Sequence, residues 1–375
     1  MSALTPEPGP WQNVEYSDIV PLANGESGKI QVSTDLGFLT LGRIDGIKAL
    51  HKVLEKDASA AYEALVDALE DNYPDVRIAA LKSLPSFALR RQGILFQCLS
   101  DRLLDDEEAV RSEARRCLIR VSPMFPSGCE VTLRRELRDS RKEHRDGAFE
   151  ALRLSAREWT EVGCLHIDEL IREEEVDLRI RASALLRTIA RKGGAEVWDL
   201  ISWSMQDEEV RVRRNASRTL TILADSEPRI AAILVESSIE ERDSGIRNHV
   251  IKALKKLDMQ SPKVVQMIIR GARDKDVSMR GACIGQLAVI LSGQELRETA
   301  DELLRKEVDP ELKRKLSALA RDPDLDGTEE EKNRSLAPLD KVHSEDISDI
   351  KDMQTSFRED DKRQSGRPAT RKADD

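Results

Sequence analysis

Aromatic residues are scarce in this chain of 375 residues: Phe, Trp and Tyr together make up 3%. A single large aromatic core is therefore not expected. Cysteine is rare and badly spaced for chemistry. Cys98, Cys117, Cys129, Cys164 and Cys283 form no C-x-x-C pair and are odd in number. That argues against a disulfide framework or a zinc site and fits a reducing, cytoplasmic setting. No apolar run of 18 residues occurs, which argues against insertion in a membrane. The opening `MSALTPEPGPWQN` has neither a basic nor an apolar leader region, so no secretory signal is expected. The chain also lacks a surplus of positive charge. Its 60 bases face 70 acids, a net charge of −10, which excludes a wholesale nucleic-acid coat but not a local basic face.

Catalytic and cofactor motifs are missing as well. There is no G-x-x-x-x-G-K-[ST] loop, no G-x-G-x-x-G and no H-E-x-x-H. Cys164 and His166 stand two apart on a helical pattern and point to different sides, a poor nucleophile–base pair. No cofactor, metal site or enzymatic activity is expected.

What is present is a period. The segments `VRIAALKSL` from Val76, `VRSEARRCL` from Val110 and `HRDGAFEAL` from His144 share a V-R-x-x-A-x-x-x-L frame. So do `LRIRASALL` from Leu178, `VRRNASRTL` from Val212 and `IRNHVIKAL` from Ile246, each start 34 residues after the last. Further units start at Met279 and Leu312 at spacings of 33, and Gly42 opens a degenerate copy, which makes nine. Val76, Ala80 and Leu84 are four apart and so share one helical face, as do Val110, Ala114 and Leu118. The middle position is small (Ala80, Ala114, Ala148, Ala182, Ala216, Cys283), which lets a neighbouring backbone approach. His144 takes an apolar position in its unit and is expected to be a partly buried packing residue.

A first helix precedes each second helix. Its apolar columns are Leu65, Leu99, Leu133, Ile167, Ile201, Val235 and Ile268, then Leu69, Leu103, Leu137, Ile171, Met205 and Ile239. Ser261-Pro262 and Asp309-Pro310 read as helix starts. Pro85 is expected to bend its helix or end it early. A two-helix hairpin cannot bury its apolar face alone, and stacking on both neighbours resolves that. The predicted fold is all-α: a solenoid of about eight to nine hairpins over residues 39–320.

One column is charged. Arg43, Arg77, Arg111, Arg145, Arg179, Arg213, Arg247 and Arg280, then Lys313, follow the motif start. Asp71, Asp105, Asp139, Glu173, Asp207, Glu241, Asp274 and Glu307 precede the later members by six residues. An acid at that turn can accept free N–H groups of the second helix and pair with arginine, and a guanidinium has donors enough for its own unit and the next. The reading is a structural ladder, with a ligand-binding row as the alternative.

These features resemble the HEAT-repeat family, on the V-R-x-x-A-x-x-x-L second helix, the preceding acid and the proline-marked turns, over about residues 40–320. The resemblance implies a right-handed superhelical scaffold that holds proteins, and sometimes nucleic acids, on a concave surface lined by second helices. Two enzymatic branches of that family fail on residues. There is no His-Glu dipeptide for a di-iron centre. Trp198 and Trp203 fall on a first helix, away from the groove of glycosylase-like members, and Trp159 alone does not make one.

The outward positions of the second helices carry Arg116, Arg153, Arg187, Arg214, Arg218, Lys252 and Lys255. Acids are fewer there, with Asp146 and Glu150 in one unit. A modestly basic concave face suits another protein or an acidic peptide, or else a nucleic-acid backbone. The aromatics that single-strand binding uses are missing from these rows. The expected function is a non-catalytic scaffold or adaptor. A nucleic-acid-binding module and an unrecognised HEAT-type enzyme are the alternatives, and the pattern sets no oligomeric state.

The ends differ from the middle. Residues 1–38 hold four of the 14 prolines and show no convincing helix, only short extended pieces around Asn24-Gly25. They are expected to form a cap on the first unit or a flexible arm, with Trp11 and Tyr16 as anchors. Residues 321–375, with 16 acids and 11 bases, read as a disordered charged tail. The stretch between has 49 acids and 48 bases, so its charge must be judged face by face.

Overall fold

The computed structural model describes residues 9–34, 37–89, 92–257 and 261–321. The expected charged tail lies outside them. The described residues fall into two compact units that divide after Leu291.

The first unit begins with α1 (Tyr16–Asn24), a hairpin of β1 (Ile30–Thr34) and β2 (Gly37–Leu41), and α2 (Arg43–Ala49). Helical pairs follow: α3 (Ala58–Leu69) with α4 (Pro74–Phe87), α5 (Gln92–Arg102) with α6 (Glu108–Val121), and α7 (Pro126–Glu136) with α8 (Lys142–Glu158). Next come α9 (Thr160–Ile171) with α10 (Val176–Ala190), and α11 (Ala195–Met205) with the broken helix α12 (Val210–Ser217) and α13 (Leu220–Ser226). The unit closes with α14 (Pro228–Ser238) and α15 (Ser244–Leu254), then α16 (Pro262–Gly271) with α17 (Val277–Ile284) and α18 (Leu287–Ile290). In the second unit α19 (Gly293–Lys306) packs on α20 (Pro310–Ala320), burying Ala300 and Leu303 against Leu312 and Leu316. That makes eight helical pairs among the described residues, seven of them in the first unit, with α1 and α2 packed together ahead of them.

Second helices pack on second helices in sequence, from α2 through α4, α6, α8, α10, α12 and α15 to α17. Their motif faces are the reason. Val110, Ala114, Val212, Ala216 and Leu220 have no exposed surface, and Leu118 has 1%. The first-helix columns are buried equally, apart from the half-buried Met205, beside which Ser204 is buried instead. Side chains of this size contribute about 1.5–3 kcal/mol each when fully buried, so the shared faces hold the stack together.

Three local expectations change. Residues 16–24 form a helix although Pro21 lies inside it. Ile19, Leu22 and Ala23 share its buried face, and Gly25, at φ 78°, ends it in the left-handed region that glycine tolerates. The extended pieces lie further on, as an antiparallel hairpin pairing Ile30 with Leu41 and Thr34 with Gly37. α1 packs on α2 and α3, and Gly46 permits it: a Cβ there would stand 2.6 Å from the backbone nitrogen of Ala23. Trp11 meets His51 edge-on at 4.9 Å, and Lys56 lies over the Tyr16 ring at 4.3 Å, so both aromatics anchor the segment.

Pro85 does not shorten its helix. α4 ends at Phe87, the same distance past its motif start as α6. Pro85 gives up one N–H donor, but it lies two residues from the end, so any bend has little helix left to redirect. The break between α12 and α13 was not signalled by proline or glycine. There Ser217 Oγ donates to Arg214 O at 2.8 Å and Thr219 Oγ1 to Ala216 O at 2.6 Å, and such side chains compete with the helical ladder.

Candidate functional site

The arginine column is structural in its geometry. Arg179 Nη1 donates to the carbonyls of Glu173 and Glu174, at 3.0 and 2.9 Å. Its Nε donates to Asp207, the acid of the following unit, at 2.9 Å. Arg213 does the same with the carbonyls of Asp207 and Glu208 and with Glu241. Arg43 meets Asp71, Arg77 meets Asp105 and Arg247 meets Asp274 in the same forward sense. Arg280 bonds the carbonyls of Asp274 and Lys275. The side-chain bond thus runs to the acid of the next unit, while the residue six upstream contributes its backbone oxygen. Each acid also caps its own turn: Asp105 accepts from Glu107 N at 3.0 Å and Asp207 from Glu209 N at 2.8 Å. Burial would raise the Asp105 carboxyl, but Arg77, the Glu107 N–H and Arg102 together hold it below its ordinary value.

Two steps depart from this pattern. Arg111 turns to Glu108 of its own helix at 2.6 Å, and Arg141 occupies Asp139 at 2.7 Å, holding its carboxyl at about 2. Arg145 keeps its two carbonyl bonds, but Glu173 is taken by Arg138 at 2.7 Å. Here His144 is fully buried in an ionic cluster rather than in apolar packing. Its Nδ1 lies 2.6 Å from Glu136 and its Nε2 3.3 Å from Arg115. Glu136, Asp139 and His144 bring potential metal-ligand atoms within 4.8 Å of one another. Arg135, at 2.9 Å from Glu136, together with Arg115 and Arg141, already supplies the positive charge a cation would bring. The donor set is spent on salt bridges.

The outward basic residues divide into two groups. Arg116 on α6 is bonded to Glu113 at 3.3 Å, and Arg120 shares that acid at 3.0 Å. Arg153 on α8 makes a fork with Glu150, at 2.8 and 2.6 Å. Arg181 pairs with Asp146 and lies over the Phe149 ring at 4.4 Å. Most of the charge on this side of α6 and α8 is therefore paired locally.

On α10 it is not. Arg187 is exposed on α10 and makes no ion pair among the described residues. Lys252 and Lys255 are exposed at the end of α15. Arg214 is held by Asp243, the N-cap of α15, at 3.2 and 2.6 Å. Arg218 Nη1 donates to Asn215 Oδ1 at 3.4 Å, and the Asn215 amide in turn donates to Ile180 O at 3.0 Å and Ser183 Oγ at 3.1 Å. These bonds tie α10 to α12 and α12 to α15 on the outward side.

His249 on α15 marks where the charges meet. Its Nδ1 lies 2.8 Å from Ser217 Oγ. Burial first, then Arg218, Lys252, Arg187 and Arg214, push its imidazole down to about 4. Four of the seven predicted residues thus act on this imidazole through their charge, while Arg116 and Arg153 are paired with acids of their own helices. His249, Asn215 and Ser217 were not singled out from the sequence. The available signal was a polar residue three places after the motif start in consecutive units, at Asn215 and His249.

No family model and no curated protein matches the chain. Several solved structures do. One is the karyopherin Kap121p bound to the extreme C-terminus of the protein phosphatase Cdc14p, at 14% identity and TM-score 0.47, covering 74% of this chain and 35% of that one. Another is Mini spindles TOG3 of Drosophila melanogaster, at 13% identity and TM-score 0.39, covering 52% and 92%. A third is an engineered protein at 17% identity and TM-score 0.37, covering 74% and 84%. The fold itself, in the first unit, is a HEAT-like stack of helical hairpins with one short β-hairpin near its start.

Proposed function

We propose that this chain is a non-catalytic scaffold that binds a partner protein on the outward side of its second helices, centred on α10, α12 and α15. One observation carries the reading: Arg187, Arg214, Arg218, Lys252 and Lys255 share the outward positions of three successive second helices with no acid among those positions. An open face of this kind offers area and charge rather than an enclosed pocket. The same positions contain no aromatic residue, which favours a protein over a single-stranded nucleic acid. Five free, buried cysteines support an intracellular, reducing setting.

Affinity capture with the full chain and with an Arg187→Glu/Lys252→Glu variant tests the reading. The variant should lose bound proteins that the parent retains. An identical set would refute the face. Duplex and single-stranded oligonucleotides belong in the same experiment. Binding whose logarithm falls steeply with the logarithm of salt would favour the nucleic-acid alternative.

A further inference from the structure

We propose that the free edge of β2 pairs with β2 of a second copy of this chain, running antiparallel across a two-fold axis to give a four-stranded sheet. The inference is independent of the second-helix face.

The register fixes which backbone groups are free. Thr34 pairs with Gly37 across only two residues, so these two close the turn as a hydrogen-bonded pair. Hydrogen-bonded and non-hydrogen-bonded pairs alternate along an antiparallel ladder. Val32–Leu39 and Ile30–Leu41 are therefore hydrogen-bonded, and Ser33–Phe38 and Gln31–Thr40 are not. The N–H and C=O groups of Phe38 and Thr40 thus point away from β1. Among the described residues no backbone group outside the hairpin meets them. An unpaired row of this kind is a template for another strand.

The side chains of β2 are as open as its backbone. Phe38 is 77% exposed and Leu39 42%. Proteins blunt such edges with charge, proline or a bulge. The ten residues of β1 and β2 contain no charged side chain and no proline, in a chain of which 35% is charged, and their register runs without a bulge.

The edge is complementary to itself. An axis beside Leu39 sets Phe38 opposite Thr40 of the second copy, and Thr40 opposite its Phe38. Both are hydrogen-bonded pairs, so every outward N–H and C=O of the two residues is satisfied. Leu39 then meets its own counterpart at the axis. On the other face the two Phe38 side chains become diagonal neighbours at about 7–8 Å, within reach of aromatic rings. Neither strand carries charge, so nothing repels the copy, and a charged partner strand would find no complement on this edge. A two-fold contact closes on itself and stops at a dimer. The pairing is short, so the dimer is concentration-dependent rather than permanent.

Sedimentation velocity of the full-length chain tests this. The chain should dimerise reversibly between about 1 and 100 µM, the range of a small interface. Thr40→Pro removes an outward N–H that the hairpin does not use, and each dimer loses two bonds, so its dissociation constant should rise at least about tenfold. Gln31→Pro, the same change on the outer edge of β1, should leave the dimer intact. Oxidation reads the register. Leu39→Cys should cross-link, its Cα atoms lying about 4.5 Å apart in a non-hydrogen-bonded pair. Phe38→Cys, on the diagonal at about 7–8 Å, should cross-link far more slowly. The native thiols are buried and do not compete. If Thr40→Pro does not fold, the Leu39→Cys cross-link decides. A monomer at about 100 µM would overturn the proposal and leave the edge to a strand of another protein. A dimer that Gln31→Pro dissolves, or one that survives Thr40→Pro and gives no Leu39→Cys cross-link, would overturn it too.

Discussion

Arg179→Ala removes a guanidinium that makes bonds to two carbonyls of its own unit and to Asp207 of the next. Asp207 has a side chain only 7% exposed and would keep the Glu209 N–H as its remaining hydrogen bond. Breaking a buried pair by removing one partner costs about 3–5 kcal/mol. Arg179 itself is 15% exposed and water can reach the site in part, so the expected loss is about 3 kcal/mol. Arg145→Ala is the internal comparison. That residue makes the same two carbonyl bonds but no bond to the acid of the next unit, so its loss should be about 1 kcal/mol. The difference isolates the link between units. A cycle of Arg179→Ala, Asp207→Ala and the double variant, measured by urea unfolding, should give a coupling of about 1–3 kcal/mol. Hydrogen exchange should place the loosening in α10 and α12. Equal losses for Arg179→Ala and Arg145→Ala, with no coupling in the cycle, would refute the forward ladder.

Gly46→Ala should lower stability by about 2 kcal/mol, because the new methyl meets the backbone of α1 rather than a movable side chain; thermal melts and faster proteolysis near Asn24 would register it. Below pH 6.5 stability should fall, since His249 is held down to about 4 in the fold and the unfolded chain takes up the proton first. His51 and His166 are lowered too, so His249→Gln should flatten part of the slope between pH 6.5 and 4, and an unchanged slope would count against the buried neutral ring. Native thiols should react with Ellman's reagent at pH 8 on the order of a thousandfold more slowly than unfolded ones, since burial lifts Cys117, Cys129 and Cys283 to about 12. A rapid native burst from any of those three would contradict their burial.

The stack was legible because its cause is periodic. Any second helix that hides Val110, Ala114 and Leu118 must meet neighbours with the same face, and the 34-residue spacing repeats that face. The direction of the arginine bonds was not legible. Asp71 and Asp105 lie within reach of Arg77 by sequence alone, and only the packed positions show that Arg77 takes the carbonyl of one and the carboxylate of the other. The helix at Tyr16–Asn24 was hidden by Pro21, whose local penalty is outweighed by burial of Ile19 and Leu22 against the next helices. For the basic face, the sequence identified the positions. It did not show that Glu113, Glu150 and Asp243 would pair with Arg116, Arg153 and Arg214 while Arg187 stayed exposed without an acid among the described residues.

Because the guanidinium bonds point one way along the chain, the two ends of any fragment are unequal. Cut before a unit, and its acid still has backbone amides of its own turn to satisfy it. Cut after a unit, and its arginine is left waiting for a carboxylate about 28 residues further on. A chain emerging from the ribosome meets the second situation at each unit that makes such a forward bond, so those hairpins should settle only when their successors have followed them out.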